Sequence, residues 1–325
     1  MSQAYLGIDV AKQSFVCSLC TGSKPAHRTF RNQLEGLKEL DKWLEKHKVS
    51  EVHACMEATN RYWEDLAWHL QGQGHRVSVV NPGRIHDYAR SKLVRNKTDK
   101  LDADLIADFC ATQQPPLWTP PPAEVRELQA LVRHLEALKE IHTQESNRLA
   151  AGAPSAIVRK SLEDHLTYLD QAIAKVEQMI RDHIDHHPGL KRDRDLLNSI
   201  PGIGDTTAAK LLSENIQAFT STREIVAYAG LNPQLRESGS SVHGRPKLSK
   251  VGRAGLRRSL YFPAISAMRH NPLVMRFCAR LEQKGKPKMV QIGAAMRKLL
   301  CIALGVLKSQ VPFDPAFLLP IQAIP

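Results

Sequence analysis

Apolar and polar positions change rhythm twice along this 325-residue chain. Up to about residue 113, short apolar runs alternate with longer amphipathic stretches. Tyr5–Asp9, Phe15–Leu19, His27–Phe30, Val52–Glu57 and Arg76–Val80 have the length and bounding polar residues of strands. Stretches near 33–47, 61–72, 82–92 and 100–112 read as helices. The early strands follow one another with little between them, which implies an antiparallel hairpin, and the later ones are separated by helices, which implies parallel crossovers. A mixed sheet flanked by helices is expected over 1–113. Residues 114–122, Gln114-Pro-Pro-Leu-Trp-Thr-Pro-Pro-Pro122, cannot continue a helix and read as an extended linker or a clamp across a domain edge.

Over 123–187 the spacing lengthens to that of long helices. Val125, Leu128, Val132, Leu135 and Leu138 repeat in steps of three and four, as do Leu162, Leu166, Leu169, Ile173, Val176 and Ile180. That is the seam of a coiled coil. The break around 151–155 leaves open an antiparallel hairpin within one chain or pairing between chains; the narrow seam slightly favours oligomerisation, a dimer assembling to a tetramer. Asp182-His-Ile-Asp-His-His187 reads as a helix C-terminus complemented by histidines and ended by Pro188, in preference to a metal site. Residues 188–325 are expected to be mainly helical. Within them, Leu196-Leu-Asn-Ser-Ile-Pro-Gly-Ile-Gly204 followed by Asp205-Thr-Thr-Ala-Ala-Lys has the form of a helix-hairpin-helix, whose Gly202 and Gly204 would offer backbone N–H groups to a phosphate. An ordinary tight turn between helices has the same pattern.

Four acids carry the candidate chemistry. Asp9 and Glu57 close two strands, and Asp99 and Asp102 share one face at the start of a helix. Strand ends are where open α/β sheets keep their ligands. Carboxylates brought together repel unless a cation neutralises them, and hard oxygen donors suit Mg²⁺ in phosphoryl chemistry. Each acid alone also reads as an ordinary strand-end or N-cap residue. Together, on a mixed sheet, they match the expectation for an RNase H-like fold.

Composition adds a partner. Residues 221–325 hold 17 Lys and Arg against 4 Asp and Glu, a net +13, while the whole chain is +12. Such an imbalance attracts polyanions, by default nucleic acid. Arg236, Arg245, Lys247, Lys250, Arg253, Arg257 and Arg258 punctuate a glycine-bearing loop and helix start, a phosphate-binding surface. Aromatics are only 6%, and no stacking motif for RNA is legible. Six scattered cysteines, with Cys17 and Cys20 on opposite faces of one strand, read as free thiols in a reducing compartment. No N-terminal stretch has signal-peptide form, and apolar runs such as Leu299 to Leu307 are short for a bilayer, so the cytoplasm, at the nucleoid when acting, is the expected location.

The chain resembles the DEDD-type insertion-sequence transposases of the IS110 family nearly end to end. The resemblance rests on Gly7-Ile-Asp-Val-Ala-Lys12, Met56-Glu-Ala-Thr59, Asn96-Lys-Thr-Asp-Lys-Leu-Asp-Ala103, Ile200-Pro-Gly-Ile-Gly204, Ala229-Gly-Leu-Asn-Pro233, Glu237-Ser-Gly-Ser-Ser241 and Leu256-Arg-Arg-Ser-Leu260. One departure is Asn60, where the family often has Gly. The resemblance implies a RuvC-like domain joined through a coiled coil to a serine transposase domain. It implies a recombinase that joins two double-stranded DNA sites under a structured noncoding bridge RNA. Asp9, Glu57, Asp99 and Asp102 would bind Mg²⁺, and Ser238 would be the nucleophile, with Ser240 and Ser241 as competitors. Two rival readings are a metal-dependent, junction-resolvase-like nuclease with no covalent intermediate, and a nonenzymatic nucleic-acid scaffold.

Overall fold

Five strands make one sheet in the first of two units, residues 1–120: β1 Ala4–Val10, β2 Ser14–Cys20, β3 Ala26–Arg31, β4 Val52–Glu57 and β5 Arg76–Val80. The computed structural model describes residues 4–22, 24–93, 98–152, 155–238 and 242–316. The strand order is β3-β2-β1-β4-β5. β1, β2 and β3 pair antiparallel, and β1, β4 and β5 pair parallel. This is the mixed sheet the apolar pattern predicts, with strand ends within one residue. Val52 to Met56 are all buried, as a strand covered on both faces requires, whereas the edge strand β3 is largely exposed.

Four helices cover the sheet: α1 Leu34–Lys46, α2 Glu64–Gly72, α3 Pro82–Ser91 and α4 Asp99–Gln113. Leu6, Ile8, Ala54 and Met56 pack with Leu40, Trp43 and Leu44 of α1 and Leu66 and Leu70 of α2. The alternate positions face the other way, where Cys55 and Val80 join Ile85 of α3 and Ile106, Phe109 and Cys110 of α4. The proline stretch begins as a strap on β5. Trp118 N–H donates to the Val77 carbonyl at 2.7 Å, Ser78 Oγ donates to the Pro115 and Pro116 carbonyls, and the Trp118 ring meets Trp63 and Trp68 edge-on. An exposed sheet edge is thereby covered.

The second unit, residues 121–325, is built from α5 Ala123–Ala150, α6 Ala156–His186, α7 Pro188–Asn198, α8 Asp205–Ser213, a 3-10 turn at Ile216–Ala218, α9 Thr222–Tyr228, β6 Pro233–Ser238, β7 Val242–Leu248, α10 Ala254–Ser259, α11 Tyr261–His270, α12 Pro272–Gln283 and α13 Lys288–Ser309. α5 and α6 pair with each other as an antiparallel hairpin, tied by Lys139–Glu177 at 2.7 Å and His142–Asp170 at 3.1 Å. The heptad seam is therefore used within the chain. Its base belongs to the core of this unit: Val125, Leu128, Val132, Leu135, Val176, Ile180 and Ile184 lie in one cluster with Leu197, Leu212, Leu256 and Leu299. α13 is long and apolar enough to cross a membrane by length and composition, and its Leu299, Leu300, Ala303, Leu304 and Leu307 are buried in that cluster as a core helix. His183 bonds the Glu124 carbonyl, while His186 and His187 bond carbonyls one turn back, which is the helix-end role expected of the histidine cluster.

One stretch differs in kind from the expectation. Residues 233–248 form a two-stranded antiparallel ribbon, with Ser238 opposite Val242 and an irregularity between Gln234 and Arg236. The sequence reads as loop because a short two-stranded ribbon imposes little apolar alternation on its residues.

Candidate functional site

Sheet register decides where Asp9 and Glu57 go. Ile8 pairs with Met56 across parallel β1 and β4, so the next residues, Asp9 and Glu57, stand side by side at the C-terminal ends of neighbouring strands, about 4.8 Å apart in the backbone. Each lies two residues beyond a position on the α4 face: Gly7, on which α4 rests, and Cys55, which packs with Cys110. Both carboxylates therefore point to that face.

α4 brings the other two acids to the same edge. A Cβ on Gly7 would lie 2.0 Å from the Ala103 carbonyl oxygen and 2.3 Å from Ala107 N, so only glycine lets the helix sit directly on β1. Farther along the helix, Cys110 Sγ reaches the His53 carbonyl and Gln114 bonds the Tyr5 hydroxyl. Tyr5 precedes Gly7, so α4 runs antiparallel to β1 and its N-terminus points toward Asp9. Two residues of strand span about 7 Å, and the turn from Ala103 back to Asp99 spans about 6 Å, which puts the four acids at one height. Thr98 caps the helix by accepting the Leu101 N–H, and the helix dipole favours Asp99 and Asp102 in the first turn.

Asp99 is exposed, and Asp9, Glu57 and Asp102 are half-buried. Among the described residues no three His, Cys, Asp or Glu side chains stand close enough to hold one ion. The donor chemistry still fits a hard divalent cation, because all four groups are carboxylates on one edge. Thr59 Oγ1 donates to Glu57 at 3.4 Å. Next to it, Asn60 adopts φ 55°, a left-handed conformation in which glycine is most at ease and asparagine is the best-tolerated substitute. The backbone thus explains both the usual glycine and the departure from it.

Sequence reasoning did not find the residues that pin α4. Asp104 accepts from Ser18 on β2 and pairs with His27 on β3 at 2.6 Å. Asp108 pairs with Lys92 and the Tyr88 hydroxyl; partial burial raises its pKa, but those two partners outweigh this and hold it below the usual value. The signal in the sequence was a run of acids along α4, Asp99, Asp102, Asp104 and Asp108, whose unequal spacing the helix resolves into different faces.

In the second unit, a short turn joins α7 to α8. Gly202 has φ 104°, and a Cβ there would lie 2.8 Å from Ala267 Cβ and 2.9 Å from the Pro263 carbonyl, so its missing side chain admits α11. Gly204 is exposed at the start of α8, beside Asp205, whose carboxylate accepts from Asn198 at 2.6 Å.

The basic residues divide. Arg257 donates to the Ala229 and Lys250 carbonyls, and Arg253 pairs with buried Glu214 at 3.3 Å, so both brace the loop that precedes α10. Lys247, Lys250 and Arg258 are exposed. Arg236 and Arg245 lie on β6 and β7, and Ser238 is the last residue of β6; Ser240 and Ser241 lie outside the described residues. Glu214 also accepts from Tyr228 at 2.8 Å and from Lys210 at 3.1 Å, and Lys210 reaches Glu136 at 2.8 Å. Burial raises the Glu214 pKa, but Arg253, Lys210 and Tyr228 together leave it below the ordinary carboxylate value.

Comparison with known proteins agrees with this layout. The DEDD transposase family of IS110 matches residues 6–152, and the transposase IS116/IS110/IS902 family matches residues 194–279. The pilin gene-inverting proteins of Moraxella lacunata and Moraxella bovis are each 37% identical over 319 residues, covering 97% of this chain and 98% of theirs. An IS110 insertion-element protein of 43.6 kDa from Streptomyces coelicolor is 27% identical over 154 residues, 47% of this chain and 37% of that one. The chain thus belongs to the IS110 family of transposases and is a DNA transposase or recombinase.

Proposed function

We propose that the protein cleaves and exchanges DNA strands through a phosphoserine intermediate, with Asp9, Glu57, Asp99 and Asp102 holding Mg²⁺ and Ser238 as nucleophile. The observation that carries this reading is the placement of all four acids on one face and one edge of the sheet by β1, β4 and α4. Exposure of Asp99 and partial exposure of Asp102 leave their side chains free to turn toward Asp9 and Glu57. Bound Mg²⁺ would supply charge neutralisation on a phosphate and lower the pKa of a hydroxyl beside it.

The serine oxygen forms a bond to phosphorus as the strand's own ester oxygen leaves, and the proton lost by the serine is balanced by the one the leaving oxygen takes up to become a hydroxyl. A hydroxyl of the second strand then attacks the phosphoserine, rejoining DNA and freeing the serine. One phosphoester replaces another at each stage, so no nucleotide hydrolysis is needed. Lys247, Lys250 and Arg258, with Arg236 and Arg245 on the ribbon, would hold the backbone phosphates, and the Ile200–Gly204 turn would make a further contact blind to base sequence. Site choice would reside in a bridge RNA carried by the protein. Inversion, the activity in the names of the Moraxella relatives, is the same exchange between two sites on one molecule.

Acids and serine belong to different units, so we place the complete site in an oligomer, where one protomer's acids serve another's serine. Cleavage would then wait for assembly at the nucleoid.

The test is a denaturing gel of the protein incubated with DNA of its own element and Mg²⁺. A protein–DNA adduct that disappears in Ser238→Ala is expected. Cleavage without any adduct would instead favour the nuclease reading, and an adduct that survives Ser238→Ala but not Ser240→Ala or Ser241→Ala would move the nucleophile. Sequencing RNA that copurifies with the protein tests the guide.

A further inference from the structure

Phe262 is 76% exposed, although its helix packs against the second unit's core through Tyr261 and Ala264. It sits in the first turn of α11, where Tyr261 is packed against the core and meets the Phe262 ring edge-on, with centroids 5.3 Å apart and planes at 83°. Pro263 follows directly, and its carbonyl abuts Gly202 of the α7–α8 turn. The ring is therefore held outward beside a rigid turn.

Its surroundings are cationic. Residues 238–281 contain nine Lys and Arg and no Asp or Glu. Arg269 follows Phe262 by seven residues, two helical turns on, along one side of α11, and Arg258 precedes it by four in the last turn of α10. Both arginines are exposed, and among the described residues neither has an acidic partner.

From this we infer that Phe262 is a stacking platform for an unpaired DNA base, with Arg258 and Arg269 holding the phosphates on either side. A phenyl ring offers no hydrogen bond to a base edge and recognises a base only by its face, which a duplex hides and a single strand presents. Strand exchange on DNA creates unpaired bases as each strand changes partner, so the DNA recombinase assignment supplies the occupant. The inference does not depend on which side chain forms the covalent link, and binding rather than cleavage tests it.

The experiment measures binding of the full-length protein to a labelled oligo(dT) strand, to the same length of duplex, and to oligo(U), by fluorescence anisotropy. Phe262→Ala is expected to weaken oligo(dT) binding by about fivefold or more. Phe262→Tyr should retain wild-type affinity and Phe262→Leu should not, which separates a ring from mere apolar area. A single strand containing 2-aminopurine should be quenched on binding to wild type and not to Phe262→Ala. Because the ring is exposed, the melting temperature should stay within measurement error, so loss of folding cannot mimic the result. The inference is overturned if oligo(dT) binding is unchanged in Phe262→Ala, or if Phe262→Leu binds like wild type. It is overturned in favour of an RNA or duplex contact if those affinities fall as much, and in favour of a protein interface if sedimentation shows a changed oligomeric state with DNA affinity intact.

Discussion

The acid edge of the first unit and the basic segment of the second are held in place by different physics. Asp9, Glu57, Asp99 and Asp102 inherit their positions from backbone register and from apolar packing of α4 on the sheet. The loop that precedes α10, which follows the ribbon in the chain, is tied down by a buried ionic cluster in which Glu214 gathers Lys210, Arg253 and Tyr228. Packed register sets directions to a fraction of an ångström and is insensitive to pH; an ionic cluster depends on every member being charged and satisfied. The acid edge is thus built on rigid elements and the loop before α10 on a charge-dependent brace.

The sharpest test of this contrast is to remove charge at the edge without touching its frame. Asp9→Asn and Glu57→Gln should each lower strand cleavage by on the order of 10³-fold or more, while the urea midpoint stays the same or rises because a like-charge neighbour is gone. Cleavage of end-labelled DNA and an unfolding curve on the same preparations check both statements. A fall in stability matching the fall in activity would mean that these acids are structural.

Removing charge from the brace should do the opposite. The Glu214 side chain is only 2% exposed, and Glu214→Ala takes this acid from Arg253 and leaves Lys210, whose side chain is 6% exposed, with Glu136; breaking such a buried pair costs about 3 kcal/mol or more. The pH dependence follows from the lowered pKa of Glu214. A carboxyl whose folded pKa lies below its unfolded value of 4.5 contributes its full stabilisation above that pH and loses it as pH falls through the folded value. The gap in urea midpoint between wild type and Glu214→Gln should therefore be constant from pH 8 to about pH 5 and narrow below about pH 4. A gap that is unchanged down to pH 3 would mean that the carboxylate's charge is not what braces the loop.

The same contrast governs what the sequence could reveal. Period-two alternation and near-continuous apolar runs locate β1 to β5 because each strand buries one face or both; Asp9 and Glu57 follow from strand-end placement, and Asp99 and Asp102 from a shared face at a helix start. The Gly7 requirement was legible only as part of a motif, since nothing in one sequence says that a helix backbone will rest on it. The ribbon at 233–248 was missed because a short two-stranded ribbon imposes little apolar alternation on its residues; Leu248, at its end, packs against the core. Arg253 and Arg257 read as phosphate ligands from their spacing, yet both are bonded within the fold; a basic side chain looks the same in sequence whether it faces solvent or a buried Glu214. Phe262 was invisible for the complementary reason: an aromatic in a helical pattern reads as core, and only the direction of α11 turns it outward.

Gly7→Ala tests whether register alone positions the acids. The new methyl would meet the Ala103 carbonyl and Ala107 N, so α4 must lift from β1, with a destabilisation of about 1–3 kcal/mol. Cleavage should fall by more than that loss of folded protein explains, because Asp99 and Asp102 move with the helix. Activity measured per folded molecule, with folding followed by circular dichroism at the same temperature, distinguishes the two contributions. Full specific activity in the folded fraction would show that α4 tolerates displacement and that its acids are not positioned by this contact.

The smallest expected effect lies in the α5–α6 hairpin, where base and tip obey the two regimes side by side. Leu135 is buried in the core of the second unit, whereas Lys139, one turn farther out, is 43% exposed in its pair with Glu177, and Ile157 near the tip is 82% exposed. Lys139→Ala should cost less than about 1 kcal/mol, since an exposed ion pair is screened and spends side-chain entropy, while Leu135→Ala should cost about 2–4 kcal/mol through lost burial and a cavity. The pair of urea midpoints checks the ratio. Equal losses at the two sites would mean that the tip is as tightly packed as the base, which the exposure of Ile157 argues against, and would extend apolar packing as the governing physics beyond the sheet unit into the arm of the second.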